Sequence, residues 1–269
     1  MPTPEYCFFM HIFFINLARA TERRQNMERQ FSALGLEGER LEATDGQTLS
    51  AQDRALVDDQ KRRRITPYPL SDNEIGCWLS HRRVLRAIAD GSAAMAAVVE
   101  DDAALAPEFP RVLEAIERQG PNFDFIFLHR KFKNNEIFVP CRALLPGLSL
   151  GRVGPAHMGA IAYIASREGA RKFLEYAPRL AHAFDKEIHR YWANGFDIYG
   201  LERPVAEHAD QGHSFIEETR AQDSSHRRVR YLDADRFYWR LMRGVTRLSD
   251  SIHKRRAWMA YKRKGKNIS

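Results

Sequence analysis

Apolar runs alternate with amphipathic stretches over most of the chain, and turn residues punctuate them. Phe8 to Leu17 is β-branched and aromatic and predicts a central strand. Thr21 to Leu34 reads as a helix, with Thr21 as its cap and Gly35 as a left-handed stop. Arg40 to Ala43 is a short second strand before a turn at Asp45-Gly46. Ser50 and Asp53 are placed to cap a short polar helix. Lys61 to Pro69, with its basic run and two prolines, reads as a loop. Next comes the strongest helix signal. Ser71 and Glu74 form a Ser-x-x-Glu capping box, Ile75, Trp78, Leu79, Leu85 and Ile88 mark one apolar face, and Gly91 closes it. Met95 to Val99 is too short for a helix and predicts a buried strand. Pro107 suits the first turn of another helix, ended by Gly120-Pro121.

Phe123 to Leu128 continues the pattern as a strand, and 134–155 reads as irregular strands and turns. Met158 to Ala165 is a strand, Ser166 to Tyr176 a helix, Asp185 the start of one more, and Phe196 to Leu201 a last strand. Strand alternating with helix predicts an α/β domain with a mainly parallel central sheet, spanning 1–222. Residues 223–269 read as a basic helical tail, divided from the body by the polar cluster Gln222 to Ser225.

Charge separates these two parts. The net charge is +7 over 269 residues, yet residues 220–269 hold 15 Lys/Arg against 4 Asp/Glu. The body is therefore mildly acidic. Within the tail, Leu241, Val245, Leu248 and Ile252 recur on one helical face among arginines and aromatics. Such a helix suits an anionic membrane surface. The competing expectations are packing on the body and, less favoured, nucleic acid. Three widely spaced cysteines exclude a disulfide scaffold and a CxxC zinc site. No apolar run reaches the length of a membrane span. Tyr6 to Leu17 lacks the basic flank and small-residue cleavage site of a signal peptide. The expectation is a cytoplasmic protein, peripheral on the inner face of the inner membrane.

The chemistry concentrates at Glu100-Asp101-Asp102. Three carboxylates at the end of a buried strand repel one another unless a cation neutralises them. Oxygen ligands there suit Mg²⁺ or Mn²⁺, the more so with a diphosphate completing the shell. Ligands of open α/β sheets also bind at the carboxyl ends of strands. A solvated acidic turn capping the next helix is the competing reading.

The ordered set of motifs decides between them. Ile15-Asn16-Leu17 with Arg19, Arg23-Arg24, Glu42-Ala43-x-Asp45-Gly46, Glu74-Ile75-Gly76-Cys77-x-Leu79-Ser80-His81, Glu100-Asp101-Asp102 and Gly159-x-x-Ala162-Tyr163-x-x-Ser166-x-x-Gly169-Ala170 together resemble glycosyltransferase family 25. That family includes lipooligosaccharide and collagen galactosyltransferases. The resemblance runs over roughly 8–205 and implies a GT-A-like nucleotide-sugar-binding fold. It implies a UDP-sugar donor such as UDP-galactose, a divalent metal (Mn²⁺ or Mg²⁺), and inverting transfer to a hydroxyl of a lipooligosaccharide or related glycan.

By that analogy Asp102 binds the metal directly and Glu100 contacts ribose or a metal-bound water, with Asp101 between them. Asn16, Arg19 and Arg24 follow the first strand, where the nucleotide is expected, and arginine pairs well with phosphate. Ser80 and His81 lie mid-helix and face either the site or the core. Asp185 is the candidate base for the acceptor hydroxyl, with a plain helix cap as the alternative. His208 and His213 are candidates for a late metal ligand. Two other classes remain in view: a two-metal phosphohydrolase acting on nucleotide sugars, and a nucleic-acid-binding protein led by its tail.

Overall fold

The structure, a computed structural model, describes residues 10–129, 138–154, 159–209, 230–231, 233 and 236–265. β1 (His11–Asn16) is the predicted first strand. α1 (Thr21–Ala33) follows, β2 is Glu39–Glu42, and a 3₁₀ turn at Gly46–Thr48 comes next. Then come α2 (Ala51–Ala55), α3 (Asp59–Ile65), α4 (Asp72–Asp90), β3 (Met95–Glu100), β4 (Ala103–Leu105), α5 (Phe109–Gln119) and β5 (Phe125–Phe127). The second half adds the hairpin β6 (Phe138–Leu145) and β7 (Leu148–Val153), then β8 (Ala162–Ser166) and α6 (Arg167–Tyr176). The short helices α7 (Phe184–Ile188) and α8 (Tyr191–Asn194) lead to β9 (Ile198–Leu201), β10 (Ala206–His208) and the long α9 (Phe237–Gly265).

Eight strands form one sheet in the order β2-β1-β3-β8-β5-β9-β7-β6, and β10 pairs with β4 in a small second sheet. The main sheet is mixed, not mainly parallel. Among the described strands β1 pairs in parallel with β2 and β3, and β5 with β9, while the other four pairings are antiparallel. β8 causes the change, because it runs between β3 and β5 against both.

Both faces of the sheet are covered, so successive strand residues enter opposite cores. Ile12, Phe14, Ala97 and Val99 pack with Met27 and Phe31 of α1 and with Phe109, Val112 and Ile116 of α5. Phe13, Ile15, Ala96 and Val98 pack with Trp78, Leu85 and Ile88 of α4, Phe173 of α6 and Phe184 of α7. This sandwich explains why β3 reads as an unbroken apolar run.

Local chemistry sets the helix ends, in places differently from the sequence pattern. The Ser71–Glu74 capping box forms at α4, and Ser50–Asp53 forms one at α2. α1 ends with Leu36 N–H donating to the Phe31 carbonyl across Gly35, whose φ of 65° suits glycine. Thr21, however, is the first residue inside α1 and caps nothing; Ala20 holds the cap position. Pro107 precedes α5, and Pro110 occupies its first turn.

The basic run at 61–64 is helical, because Asp58 accepts a hydrogen bond from Lys61 N–H and caps α3. Its Arg62 is buried and donates to the carbonyls of Tyr68 and Ala181. The two prolines stop that helix rather than preventing it.

α9 lies along the body. Ala257, Trp258 and Tyr261 join the second core, and Tyr261 donates to the Phe196 carbonyl at 2.6 Å. Arg190 pairs with Asp250, and Arg63 with Asp233 just before the helix. The helix thus packs on the body, but through a different face from the one its apolar spacing marks. No helix among the described residues is long and apolar enough to cross a membrane. The polar cluster at 222–225 and the candidate His213 lie outside the described residues.

Candidate functional site

An open cleft, about 680 Å³ when the solvent space at its mouth is included, lies at the carboxyl ends of β1 and β3. Ile15, Leu17, Arg19 and Arg23 form one wall, Ala43 to Gly46 a second, and Asn73, Cys77, Ser80 and His81 of α4 a third. Glu100, Asp101 and Asp102 close it.

The second wall is a loop clamped against α4. Thr44 N–H donates to Ser80 Oγ at 2.8 Å, and Ser80 Oγ donates to the Gly76 carbonyl at 2.7 Å. Arg83 donates to the Glu42 carbonyl and to Thr44 Oγ1. Backbone touches backbone here. A β-carbon on Gly76 would stand 2.6 Å from the Thr44 carbonyl oxygen, and one on Gly46 would meet the backbone of residues 72 and 73. Asp45 accepts two bonds from Arg19, at 2.7 and 3.3 Å. The Arg19 hydrogen bond holds the Asp45 carboxyl below its usual range, and Asp45 raises Arg19 in turn.

Asn16 ties the acidic turn to the first wall. Its amide nitrogen donates to Asp101 Oδ2 at 2.8 Å and to the Ala20 carbonyl at 3.0 Å, and its amide oxygen accepts from Arg40. Every polar atom of that side chain is engaged within the protein, so Asn16 holds Asp101 instead of facing a ligand. Arg23 faces Asp101 at 3.3 Å and Asp102 at 3.9 Å. Burial nevertheless pushes the Asp101 carboxyl above its usual range, with Asn16 and Arg23 opposing the rise and Asp102 adding to it.

Arg24, the predicted partner of phosphate, is turned away and pairs with Glu28 one helical turn on. Neighbouring residues on a helix point about 100° apart, so Arg23 and Arg24 do not share a face. Arg23 is the residue that the sequence reading missed.

His81 is fully buried, stacked parallel on Phe184 at 4.0 Å between ring centroids. Its Nδ1 lies 3.1 Å from the Tyr163 hydroxyl and its Nε2 3.1 Å from Glu100 Oε1. Burial keeps the Tyr163 phenol protonated, so the hydroxyl donates to Nδ1 and Nε2–H donates to Glu100. Both alternatives for His81 hold at once: it is a satisfied core histidine, and it steers a site carboxylate.

Two groups bear on metal binding. Cys77, His81 and Glu100 place one ligand atom each within 4.8 Å of one another. This group satisfies itself, because both His81 nitrogens are engaged and the Cys77 thiol is held protonated. Burial, then the charges of Glu100, Asp185, Asp102 and Glu74, push that thiol far up.

Asp102 differs. Its Oδ1 is buried and has no hydrogen-bond partner, a costly state that a cation relieves. Oδ2 lies 3.6 Å from Nδ1 of His208, and Ala209 N–H donates to the Asp102 carbonyl. The β4–β10 pairing brings His208 there by setting it opposite Ala103. Carboxylates plus an imidazole make a donor set that fits Mn²⁺ better than Mg²⁺. Asp185 sits in the first turn of α7, outside the cavity wall but near enough for its charge to act on Cys77.

The family model described as glycosyltransferase family 25 (LPS biosynthesis protein) matches residues 9–188, about two thirds of the chain. The chain belongs to glycosyltransferase family 25. A glycosyltransferase 25 family member of Anopheles gambiae is 31% identical over 207 residues, covering 69% of this chain and 33% of that protein. Procollagen galactosyltransferase 1-A of Xenopus laevis is 29% identical over 188 residues, covering 65% and 30%. Probable inactive glycosyltransferase 25 family member 3 of Bos taurus is 30% identical over 183 residues, again covering 65% and 30%. This family 25 chain thus spans about a third of the length of these relatives.

Proposed function

We propose that this family 25 chain is a metal-dependent inverting glycosyltransferase. Its donor is a UDP-sugar, UDP-galactose first among them, and its acceptor a hydroxyl of a lipooligosaccharide or related glycan. The observation that carries the reading is the buried Oδ1 of Asp102, without a hydrogen-bond partner, beside an open cleft that Glu100 also lines, with His208 close by. Galactose is favoured by relatives named procollagen galactosyltransferases.

In this reading Asp102, Glu100 and His208 hold Mn²⁺ or Mg²⁺, which supplies charge neutralisation to the departing diphosphate. Arg19 and Arg23 flank the phosphates. Both are already oriented by carboxylates, so little ordering entropy is lost on binding. Asp101 stays in place through Asn16. His81 orients Glu100, and Tyr163 fixes the imidazole tautomer.

The Asp185 carboxylate takes the acceptor hydroxyl proton as that oxygen bonds to the anomeric carbon. The bond to UDP breaks on the opposite face, which inverts the centre.

Thermal shift with UDP, GDP and CMP sugars, with and without Mn²⁺, tests this reading. The expected result is a rise with UDP-sugar that needs Mn²⁺ and is absent in Asp102→Ala, with the fold of the variant intact. A metal-independent rise, or wild-type transfer by Asp102→Ala, would refute the metal assignment. Equal release of UDP with and without acceptor would favour the phosphohydrolase instead.

A further inference from the structure

We propose that α9 docks on an anionic lipid surface through the stripe Phe237, Leu241, Val245, Leu248, Ile252 and Met259, while its opposite face stays on the body. Among the described residues, every exposed large hydrophobic side chain belongs to this helix: these six and Tyr238. Leu241 and Val245 are each 52% exposed, and Leu248 is 65% exposed. At 100° per residue the six fall within an arc of about 80°. Arg243, Asp250, Ala257 and Tyr261, which are buried, pair with the body or join its core, lie about half a turn away. The helix is therefore held on one side and, among the described residues, presents an apolar ridge exposed on the other.

Charge identifies the occupant. Residues 237–265 carry nine Lys/Arg and a single acid, Asp250, which is bonded to Arg190. Arg255 and Arg256 are exposed beside the stripe. An apolar ridge edged with arginines matches acyl chains below anionic headgroups.

A second copy of the chain is the rival, because the spacing from Leu241 to Ile252 also resembles a heptad seam. That pairing would set two strongly cationic helices face to face. The positions flanking the seam are Gly244, Ser249, Ser251 and Arg256, which offer no acidic partner. The anionic surface gains from the same charges that oppose self-association.

Co-sedimentation of the full chain with phosphatidylcholine vesicles, and with vesicles of equal parts phosphatidylcholine and phosphatidylglycerol, tests the proposal. Binding is expected only to the anionic vesicles and should weaken with salt. Leu241→Gln with Leu248→Gln should lower it about tenfold or more, with an unchanged melting temperature, since both side chains touch solvent. Arg255→Glu with Arg256→Glu, a pair outside any packed surface, should lower it too and guards against a folding artefact. Equal binding to neutral vesicles, or full binding by both double variants, overturns the proposal. A dimer by light scattering that the leucine variant dissociates, without vesicle binding by the wild type, overturns it in favour of the second copy.

Discussion

Gly76→Ala tests whether the cavity wall is built by backbone contact. The added methyl would stand 2.6 Å from the Thr44 carbonyl oxygen and 3.0 Å from Gly46 N, so residues 44–46 must retreat by a few tenths of an ångström or more. They are not free to do so. Ser80 grips Thr44 N–H, Arg83 grips Thr44 Oγ1 and the Glu42 carbonyl, and Arg19 holds Asp45.

Overpacking of this kind costs about 1–3 kcal/mol, against a helix-propensity gain from alanine of about 1 kcal/mol. The net is a destabilisation of up to about 2 kcal/mol, or up to roughly 8 °C in melting temperature for a domain of this size. Gly244→Ala is the control. A β-carbon there meets nothing within 4 Å, so the same exchange in α9 should stabilise by up to about 1 kcal/mol. Differential scanning fluorimetry of both variants, with and without UDP, reads the two signs. Gly76→Ala should also bind UDP more weakly, because the displaced residues line the cavity. A Gly76→Ala protein as stable as Gly244→Ala, with an unchanged UDP response, would refute close packing as the reason for glycine at this position.

Three further outcomes follow from the geometry. Arg23→Ala should weaken UDP binding by about tenfold or more in calorimetry, the loss of a charge-assisted contact, while Arg24→Ala leaves it near wild type; equal effects would undo the assignment of faces on α1. His182 is buried, donates from Nδ1 to Glu187 at 2.7 Å and accepts from Arg190. Burial lowers its pKa from 6.5, and the unfolded chain therefore binds more protons, so stability is present above about pH 6.5 and falls on acidification. Glu187, although burial raises it, is held below its usual range by His182, which adds a second loss at lower pH. Chemical denaturation from pH 7.5 downward should show a shallower decline near pH 6 in His182→Gln, and parallel curves would remove His182 as the cause. Tyr261→Phe deletes the hydroxyl bonded to the Phe196 carbonyl and should cost about 1 kcal/mol without altering UDP binding; a lost UDP response would mean that α9 supports the cavity after all.

The sequence made the fold legible where one local signal sufficed. The capping box at Ser71, the apolar run of β3 and the acidic triplet that ends it all lie where their chemistry places them. Strand direction was not legible, because β8 reverses between β3 and β5 through pairings that no local pattern encodes. α3 was hidden for a related reason. Four basic residues look solvated, yet Arg62 is buried against two carbonyls supplied by Tyr68 and by Ala181, a residue far along the chain. In α9 the regular apolar spacing is real, but the face that packs is the one of Tyr261, whose partners Phe196 and Tyr191 are also far away in sequence.

The site residues divide by what they touch, and the division bears on how family likeness is read. Gly46, Gly76, Ser80 and Asn16 contact the protein's own backbone and side chains; they build walls. Asp102 Oδ1, by contrast, is buried without a hydrogen-bond partner, and His208 Nδ1 stands 3.6 Å from its Oδ2. A relative named as probable inactive matches this chain at 30% identity and one named a galactosyltransferase at 29%, so overall identity does not separate the two. In the proposed function the cation is held at Asp102 and the proton acceptor is Asp185, so Asp102→Ala should lose donor binding together with transfer, whereas Asp185→Asn should lose transfer and keep donor binding.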